Sequence, residues 1–344
     1  MTVEDHPFAW ADRIDPNNLS SGARMEGYYN HNYRVEEGGT VYLYRKPIPN
    51  SAVMDLRCIS EVPVLRFLES VGFDAPRLLY QSDAEGFFLH DWIDGVSLND
   101  VYPDQEQMSD WIPREIARQM AALHRFDPEP FAAACADLGA SPDCGAFFRA
   151  HYEFDCSVHA RLFPEMADIY RSLGIPDAPF AGLDELAVAI GTRPFCLCHS
   201  DIHRKNVLIR PRDKTLTLLD WELVLVGDPV YDIAVHFHKT RFTPDQEAQF
   251  IKAYAERSPL TLTPGDIRKE VDVYLQLERV KSAIIDACRV RGDLRSGKFV
   301  GEAAEREAAR YARKLDKART VWCRDQALEP SDPRWIFQML VQQL

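Results

Sequence analysis

The chain has 344 residues and a mass of 39.3 kDa, enough for two domains or lobes that share a large core. With 46% hydrophobic and 27% charged residues it has the composition of a globular protein, which excludes a disordered or fibrous chain. A formal net charge of −13 lacks the basic footprint needed to hold a phosphate backbone, so a nucleic-acid partner is excluded. No apolar stretch approaches the length that spans a bilayer, so no membrane partner is expected. The opening MTVEDHPFAWADRIDP is acidic and polar, unlike a signal peptide, and eight cysteines are scattered without framework spacing. Together these predict a cytoplasmic protein with free thiols.

In chain order, YYNHNYRVEEGGTVYLYRKP from residue 28 alternates apolar and polar residues and turns over Glu36–Thr40, which predicts a β-hairpin. The following AVMDLRCISEVPVLRFLESVG has helical spacing through Met54, Ile59, Val62, Leu65 and Leu68, with Pro63 as a point of interruption. RLLYQSDAEGFFLHDWI predicts two more strands joined by a turn at Ser82–Gly86. Residues up to Gly95 therefore form a small sheet crossed by one helix. Beyond Gly95 the character becomes helical, beginning with MSDWIPREIARQMAALHRF, where Ser109 or Asp110 caps the helix and Pro113 lies in its first turn. Short strands return only near the middle of the chain. In PFCLC, Cys196 and Cys198 share one face of a strand. A metal pair is one reading, and two small buried apolar residues is the preferred one. GEAAEREAARYARKLDKARTVW predicts a helix with a core stripe of alanines, Tyr311 and Leu315 and a solvated opposite face.

The polar residues of HSDIHRKN, residues 199–206, interrupt two apolar strands. An aspartate held on such a loop, Asp201, can accept a proton from an attacking hydroxyl. Asn206 offers an amide oxygen, a hard ligand suited to Mg²⁺, and KTLTLLDWE follows as a strand ending in Asp220, whose carboxylate suits the same ion. Phosphoryl transfer needs these parts: a positioned hydroxyl, a metal bridging phosphates and cationic groups to offset charge.

Three segments carry a more specific likeness. HSDIHRKN at 199–206, LDWE at 219–222 and GDPVYDIA at 227–234 closely resemble the aminoglycoside phosphotransferase and choline kinase-like family. Its motifs read approximately H-G-D-x-H-x-x-N, I-D-W-E and G-D-P-x-Y-D-L-A, and their shared order is far more specific than any one alone. A weaker likeness runs from residue 18 to 290. The resemblance implies an α+β, bilobal protein-kinase-like fold, with a small β-rich N-terminal nucleotide-binding lobe (1–93) and a larger, mainly helical C-terminal lobe (94–344). It implies that Asp201 is the catalytic aspartate, that His203 approaches the γ-phosphate, and that Asn206 and Asp220 hold Mg²⁺. His199 and Asp232 are implied as structural support for the loop, and Ser200 stands where the family usually has glycine.

The same resemblance implies that the first lobe holds ATP or GTP. SSGARMEGYYNHNYRV lies where a phosphate-covering loop belongs, with Gly22 and Gly27 allowing close backbone approach; a plain hairpin turn is the alternative. TVYLYRKP resembles the family's Y-V-L-R-R-P and brings either Arg45 or Lys46 to the phosphates, since neighbouring strand residues face opposite ways. Glu61 matches the helix glutamate that pairs with this cation, a solvent-facing side chain being the alternative. Backbone groups of His90, Asp91 and Trp92 match the segment that meets the adenine edge, and Leu123 and His124 match a packing motif.

Only LVLV separates DWE from GDP, too short for the segment with which a protein kinase docks a peptide, so the acceptor is a small molecule. The resemblance implies a kinase acting on a hydroxyl of an aminoglycoside-like or other antibiotic. Glu153, Asp155, Asp286 and Asp293 lie in the segments that would select it and could meet the ammonium groups of a cationic acceptor, scattered surface carboxylates being the preferred reading of any single one. A metabolic kinase for choline, homoserine or a sugar is the alternative, choline requiring an aromatic cage. A non-catalytic nucleotide-binding module is the third reading, opposed by the retention of Asp201, Asn206 and Asp220.

Overall fold

The computed structural model describes residues 6–15, 24–25, 27, 29–48, 54–103, 107–210, 215–323 and 329–341. The strands are β1 (Arg24–Met25), β2 (Asn30–Glu37), β3 (Thr40–Pro47), β4 (Leu78–Ser82), β5 (Phe87–Asp91), β6 (Val96–Ser97), β7 (Cys196–Cys198), β8 (Val207–Arg210), β9 (Thr215–Leu218) and β10 (Leu225–Gly227). The helices are α1 (Glu61–Ser70), α2 (Leu98–Val101), α3 (Trp111–Leu123), α4 (Glu129–Ala132), α5 (Cys144–Ser172), α6 (Pro229–Thr240), α7 (Pro244–Ala255), α8 (Pro264–Arg295), α9 (Glu302–Trp322) and α10 (Pro333–Val341). The chain divides into two compact units, Met1–Met108 with Asp201–Val224, and Ser109–Ser200 with Leu225–Leu344.

The first unit is built on a five-stranded antiparallel sheet in the order β1-β2-β3-β5-β4. Its central hairpin is the one expected, with Glu37 paired to Thr40 across Gly38 and Gly39. Both glycines have positive φ, 58° and 77°, the geometry that makes a two-residue turn follow the twist of its strands. Strand alternation then sorts the side chains. Tyr33, Val35, Tyr44, Tyr80, Phe87 and Leu89 are buried together on one face, under Ala11, Trp10 and Phe8 of an N-terminal 3-10 turn. Arg45 and Phe88 pair across β3 and β5 on the other face, the guanidinium lying 5.9 Å from the ring centre.

Helix α1 begins at Glu61, later than the apolar spacing from Met54 predicts. Met54 and Ile59 are buried, but in non-helical chain, so burial alone produced the apparent period. Pro63 sits in the first turn of α1, where its missing N–H leaves no helical bond unmade. A second small sheet, β6-β8-β9, belongs to the same unit, and its β8 and β9 are flanked by Asp201 and Asn206 on one side and Asp220 on the other.

The second unit is mainly helical, as expected. α3 buries Ile112, Ile116, Ala117, Met120 and Leu123 at three- and four-residue intervals, with Pro113 in its first turn. α7 and α8 start with capping boxes, Thr243 with Gln246 and Thr263 with Asp266. α9 carries the predicted stripe, with Ala304, Ala308, Tyr311, Ala312, Leu315 and Ala318 buried. β7 and β10 form a two-stranded pair, Leu225 opposite Cys198 and Gly227 opposite Cys196. A β-rich unit and a mainly helical one make the α+β class read from the sequence. None of the described helices is long and apolar enough to cross a membrane, and all eight cysteines are free thiols.

The hairpin turn offers a direct check. Nothing lies within 4 Å of a Cβ built on Gly39, so the substitution Gly39→Ala tests backbone conformation alone. A stability loss of about 1–2 kcal/mol in chemical denaturation is expected.

Candidate active site

Arg45 is the centre of the first unit's polar site. Its guanidinium donates to Glu61 Oε1 at 2.7 Å, to Asp220 Oδ1 at 2.8 Å and to Glu222 Oε2 at 3.1 Å. Arg45, Glu61 and Glu222 are buried, while the Asp220 side chain is 28% exposed. Lys46, the neighbouring cation, is half-buried and by strand alternation points the other way. The Trp221 N–H also donates to Glu61 Oε1, at 3.3 Å, and Asn30 Nδ2 donates to Glu222 Oε2.

The electrostatics follow from three carboxyl groups meeting one guanidinium. Burial opposes the Arg45 charge, but Glu61, Asp220 and Glu222 more than reverse that and hold it firmly protonated. Burial also pushes Glu61 up to about 7, with Asp220 adding and Arg45 opposing. Burial likewise pushes Glu222 up to about 8, with Asp220 and Glu61 adding. With all three ionised the cluster would carry two negative charges more than Arg45 can neutralise. It therefore has room for a further cation.

The loop after β7 supplies the rest. Asn206 Nδ2 donates to the Asp201 carbonyl at 3.1 Å and to Asp201 Oδ2 at 3.2 Å, leaving its amide oxygen as an acceptor. The Asn206 N–H donates to His203 O at 2.8 Å, closing a tight turn. His203 Nδ1 accepts from the Lys205 N–H at 3.2 Å, and its Nε2 lies 3.9 Å from Asp201 Oδ2. The Leu219 N–H donates to Asn206 O at 2.8 Å, which brings Asp220, the next residue, to the loop. Asp220 itself has φ 68°, a left-handed conformation that ends β9 sharply. One oxygen from each of Glu61, Asp220 and Glu222 lies within 4.8 Å of the others. The Asn206 amide oxygen and the Asp220 carboxylate are hard oxygen donors of the kind that fit Mg²⁺.

In the helical unit, Asp232 accepts from the backbone N–H groups of His199 (2.9 Å) and Ser200 (2.7 Å), and His124 Nε2 lies 3.0 Å from its Oδ2. His199 and Asp232 are fully buried. Burial raises the Asp232 pKa, but the hydrogen bonds from His124 and Ser200 outweigh it and hold the group below the usual carboxylate range. Ser200 has φ 61°, which accounts for the glycine that the resembling family carries there.

The remaining predicted positions are as follows. A Cβ on Gly27 would lie 2.1 Å from the Asn30 carbonyl oxygen, so no side chain fits; Gly22 lies outside the described residues. His90 is buried, its Nδ1 donates to Asp91 O at 2.8 Å, and burial followed by the Arg45 charge pushes it down to about 4, so the ring is neutral. Asp91 accepts the Arg77 N–H through its carboxylate at 2.6 Å, and Trp92 is half-buried beside Arg34. Asp286 meets Lys314 and Arg289, Asp293 meets Lys298 at 3.0 Å, Asp155 is buried and Glu153 is exposed. Sequence reasoning assigned no role to Glu222 or Asn30. Glu222 had a signal, an acid two residues after a strand-end aspartate; Asn30 had none, being 192 residues from its partner.

Comparison with known proteins adds three findings. The sequence pattern of the phosphotransferase enzyme family matches residues 23–264. The acyl-CoA dehydrogenase family member 11 of Gallus gallus is 27% identical over 232 residues, 63% of this chain; the match spans only 27% of that protein's length. In structure the chain is similar to the Plasmodium vivax ethanolamine kinase (TM-score 0.59, 13% identity, 89% of this chain and 85% of that one). It is also similar to the streptomycin–ATP–APH(2")-IIa ternary complex (TM-score 0.51, 16% identity, 86% of this chain and 91% of that one). At these identities the structural likeness speaks for the fold.

Two measurements test the site's physics. In Mg²⁺-free buffer, Glu61 and Glu222 bind a proton more tightly when folded than at their ordinary 4.5. Their contribution to stability is therefore full below that value and lost as pH rises through about 7 and 8. Glu222→Gln is expected to flatten the fall in denaturation midpoint between about pH 5 and pH 8. The second concerns Ser200, whose hydroxyl is buried without a hydrogen bond and whose backbone is left-handed. Ser200→Gly is expected to raise stability by about 1 kcal/mol, read as a higher Tm.

Proposed function

The chain belongs to the phosphotransferase enzyme family, and from that premise we propose that it is a small-molecule kinase transferring the γ-phosphate of ATP or GTP to an acceptor hydroxyl. The observation that carries this reading is the juxtaposition of Asp201, tied to Asn206, with Asp220 at the end of the adjoining strand and Arg45 beyond it. Asp201 accepts the proton of the acceptor hydroxyl as the oxygen attacks. Arg45, held by Glu61 and Glu222, faces the α- and β-phosphates. Asn206 and Asp220 would hold Mg²⁺, which would supply charge neutralisation for the transferring phosphoryl group. His203 reaches toward the γ-phosphate, and the main chain of His90–Trp92 meets the base, with Gly27 at the phosphate-covering turn. Asp232 and His199 keep the loop root in place. Positioning and charge stabilisation supply most of the acceleration.

For the acceptor, the first reading is a hydroxylated amine of the aminoglycoside or amino-alcohol kind, supported by the ethanolamine kinase and the streptomycin complex that share the fold. A second class has one observation in its favour. The curated relatives are named acyl-CoA dehydrogenase family members, of which this chain matches about a quarter, and that pairing favours a hydroxylated acyl thioester.

The test is Mg²⁺-dependent release of ADP or GDP from purified protein with aminoglycosides, other antibiotics, choline, ethanolamine, homoserine, sugars and hydroxyacyl thioesters. Asp201→Asn is expected to lower kcat by a factor of about 10²–10⁴ with nucleotide affinity nearly unchanged. Unchanged kcat in Asp201→Asn, or no binding of nucleotide with Mg²⁺, would remove the proposal.

A further inference from the structure

The helical unit contains a second group of ligand-type side chains, separate from the Arg45 carboxylate cluster, that includes His124, the Asp232 partner described above. Cys196 and Cys198 lie two apart on β7, so both sulfurs leave the same side of the strand, and they are 3.6 Å from one another. His124, the residue that ends α3, completes the group, with one ligand atom from each of the three within 4.8 Å of the others. We propose that these three side chains bind one thiophilic metal ion of the zinc class.

Four observations support the site. Two thiolates bound to one tetrahedral zinc at ~2.3 Å would be ~3.7 Å apart, close to the separation here. Pairing of β7 with β10, Leu225 opposite Cys198 and Gly227 opposite Cys196, fixes that separation in the backbone. His124 has Asp232 Oδ2 at 3.0 Å from Nε2, the outer carboxylate that orients many metal-bound imidazoles. Its other nitrogen meets Tyr254 Oη at 2.6 Å, a contact that the ion would take over. The whole group is dry, with Cys196 and His124 3% exposed and Cys198 at 0%, so its three donors would hold the ion away from bulk solvent. The thiols otherwise make only weak contacts, Cys198 Sγ lying 3.7 Å from the Cys196 and Asp228 carbonyl oxygens.

Binding exchanges the protons on the three donors for one divalent ion. Two thiolates and a neutral imidazole then balance its charge, with the protons released to solvent. The ion would join the end of α3 to the strand that runs directly into His199 and Ser200. It would act through the same Asp232 that holds their N–H groups.

The test uses the full chain, prepared with added zinc and dialysed, and read by elemental analysis. It is then stripped and titrated with Co²⁺ to read thiolate-to-cobalt charge-transfer absorption. One equivalent per chain is expected in the wild type and in Cys58→Ser, with affinity lowered at least tenfold in Cys196→Ser and in Cys198→Ser. A wild type that retains no zinc and shows no thiolate–cobalt band overturns the proposal. So does binding that survives unchanged in both site variants, which would place the ion elsewhere. Should those variants not fold, X-ray absorption of the zinc-loaded wild type decides. A shell with two sulfur donors supports the site, and a shell of nitrogen and oxygen alone overturns it.

Discussion

One guanidinium among three carboxyl groups sets the terms for the sheet-based unit. Arg45 comes from the middle of β3, Glu61 from the first residue of α1, and Asp220 and Glu222 from the chain leaving β9. A buried arginine without these partners would be costly, and so would the acids without it. The cluster is therefore a constraint on everything that delivers its members. The hairpin register must place Arg45 opposite Asn32 and Phe88, α1 must begin at Glu61, and β9 must end abruptly at Asp220. Because the acids exceed the cation, the arrangement is better suited to holding a second positive charge than to closing on itself.

The parts of this design differ in how far they can be read from residue order. The Gly38–Gly39 hairpin was legible because a two-residue turn with both φ positive has few other sequences. The loop from His199 to Asn206 and the strand-end Asp220 were legible because short segments bring their chemistry together. Arg45 and Lys46 could be separated only by knowing which strand face each occupies, which the pairing of Arg45 with Phe88 decides. The start of α1 was misread for an instructive reason. Met54 and Ile59 are buried like helix residues but lie in irregular chain, and the hydrophobic period does not distinguish the two. Asn30 was not legible at all, since its bond to Glu222 closes over 192 residues and an exposed strand asparagine would look the same.

Left-handed residues mark the points where the central segment changes direction. Ser200 and Asp220 both take positive φ without being glycine, one immediately before Asp201 and the other just past the end of β9. Such conformations persist only where neighbours over-determine them. For Ser200 those neighbours are the two Asp232 oxygens that accept its N–H and that of His199; for Asp220 they include Arg45. Asp201 and Asp220 are thus placed by strained backbone, and the strain is held by hydrogen bonds to buried charge.

The buried acids of the helical unit are largely committed to partners within it: Asp286 to Lys314, Glu278 to Lys281, and Asp228 and Glu270 to Arg193. Asp155 differs, because burial pushes it up to about 8, with Lys281 opposing and Glu278 adding. A carboxyl group in that state is neutral at ordinary pH, so its burial leaves no uncompensated charge in the unit.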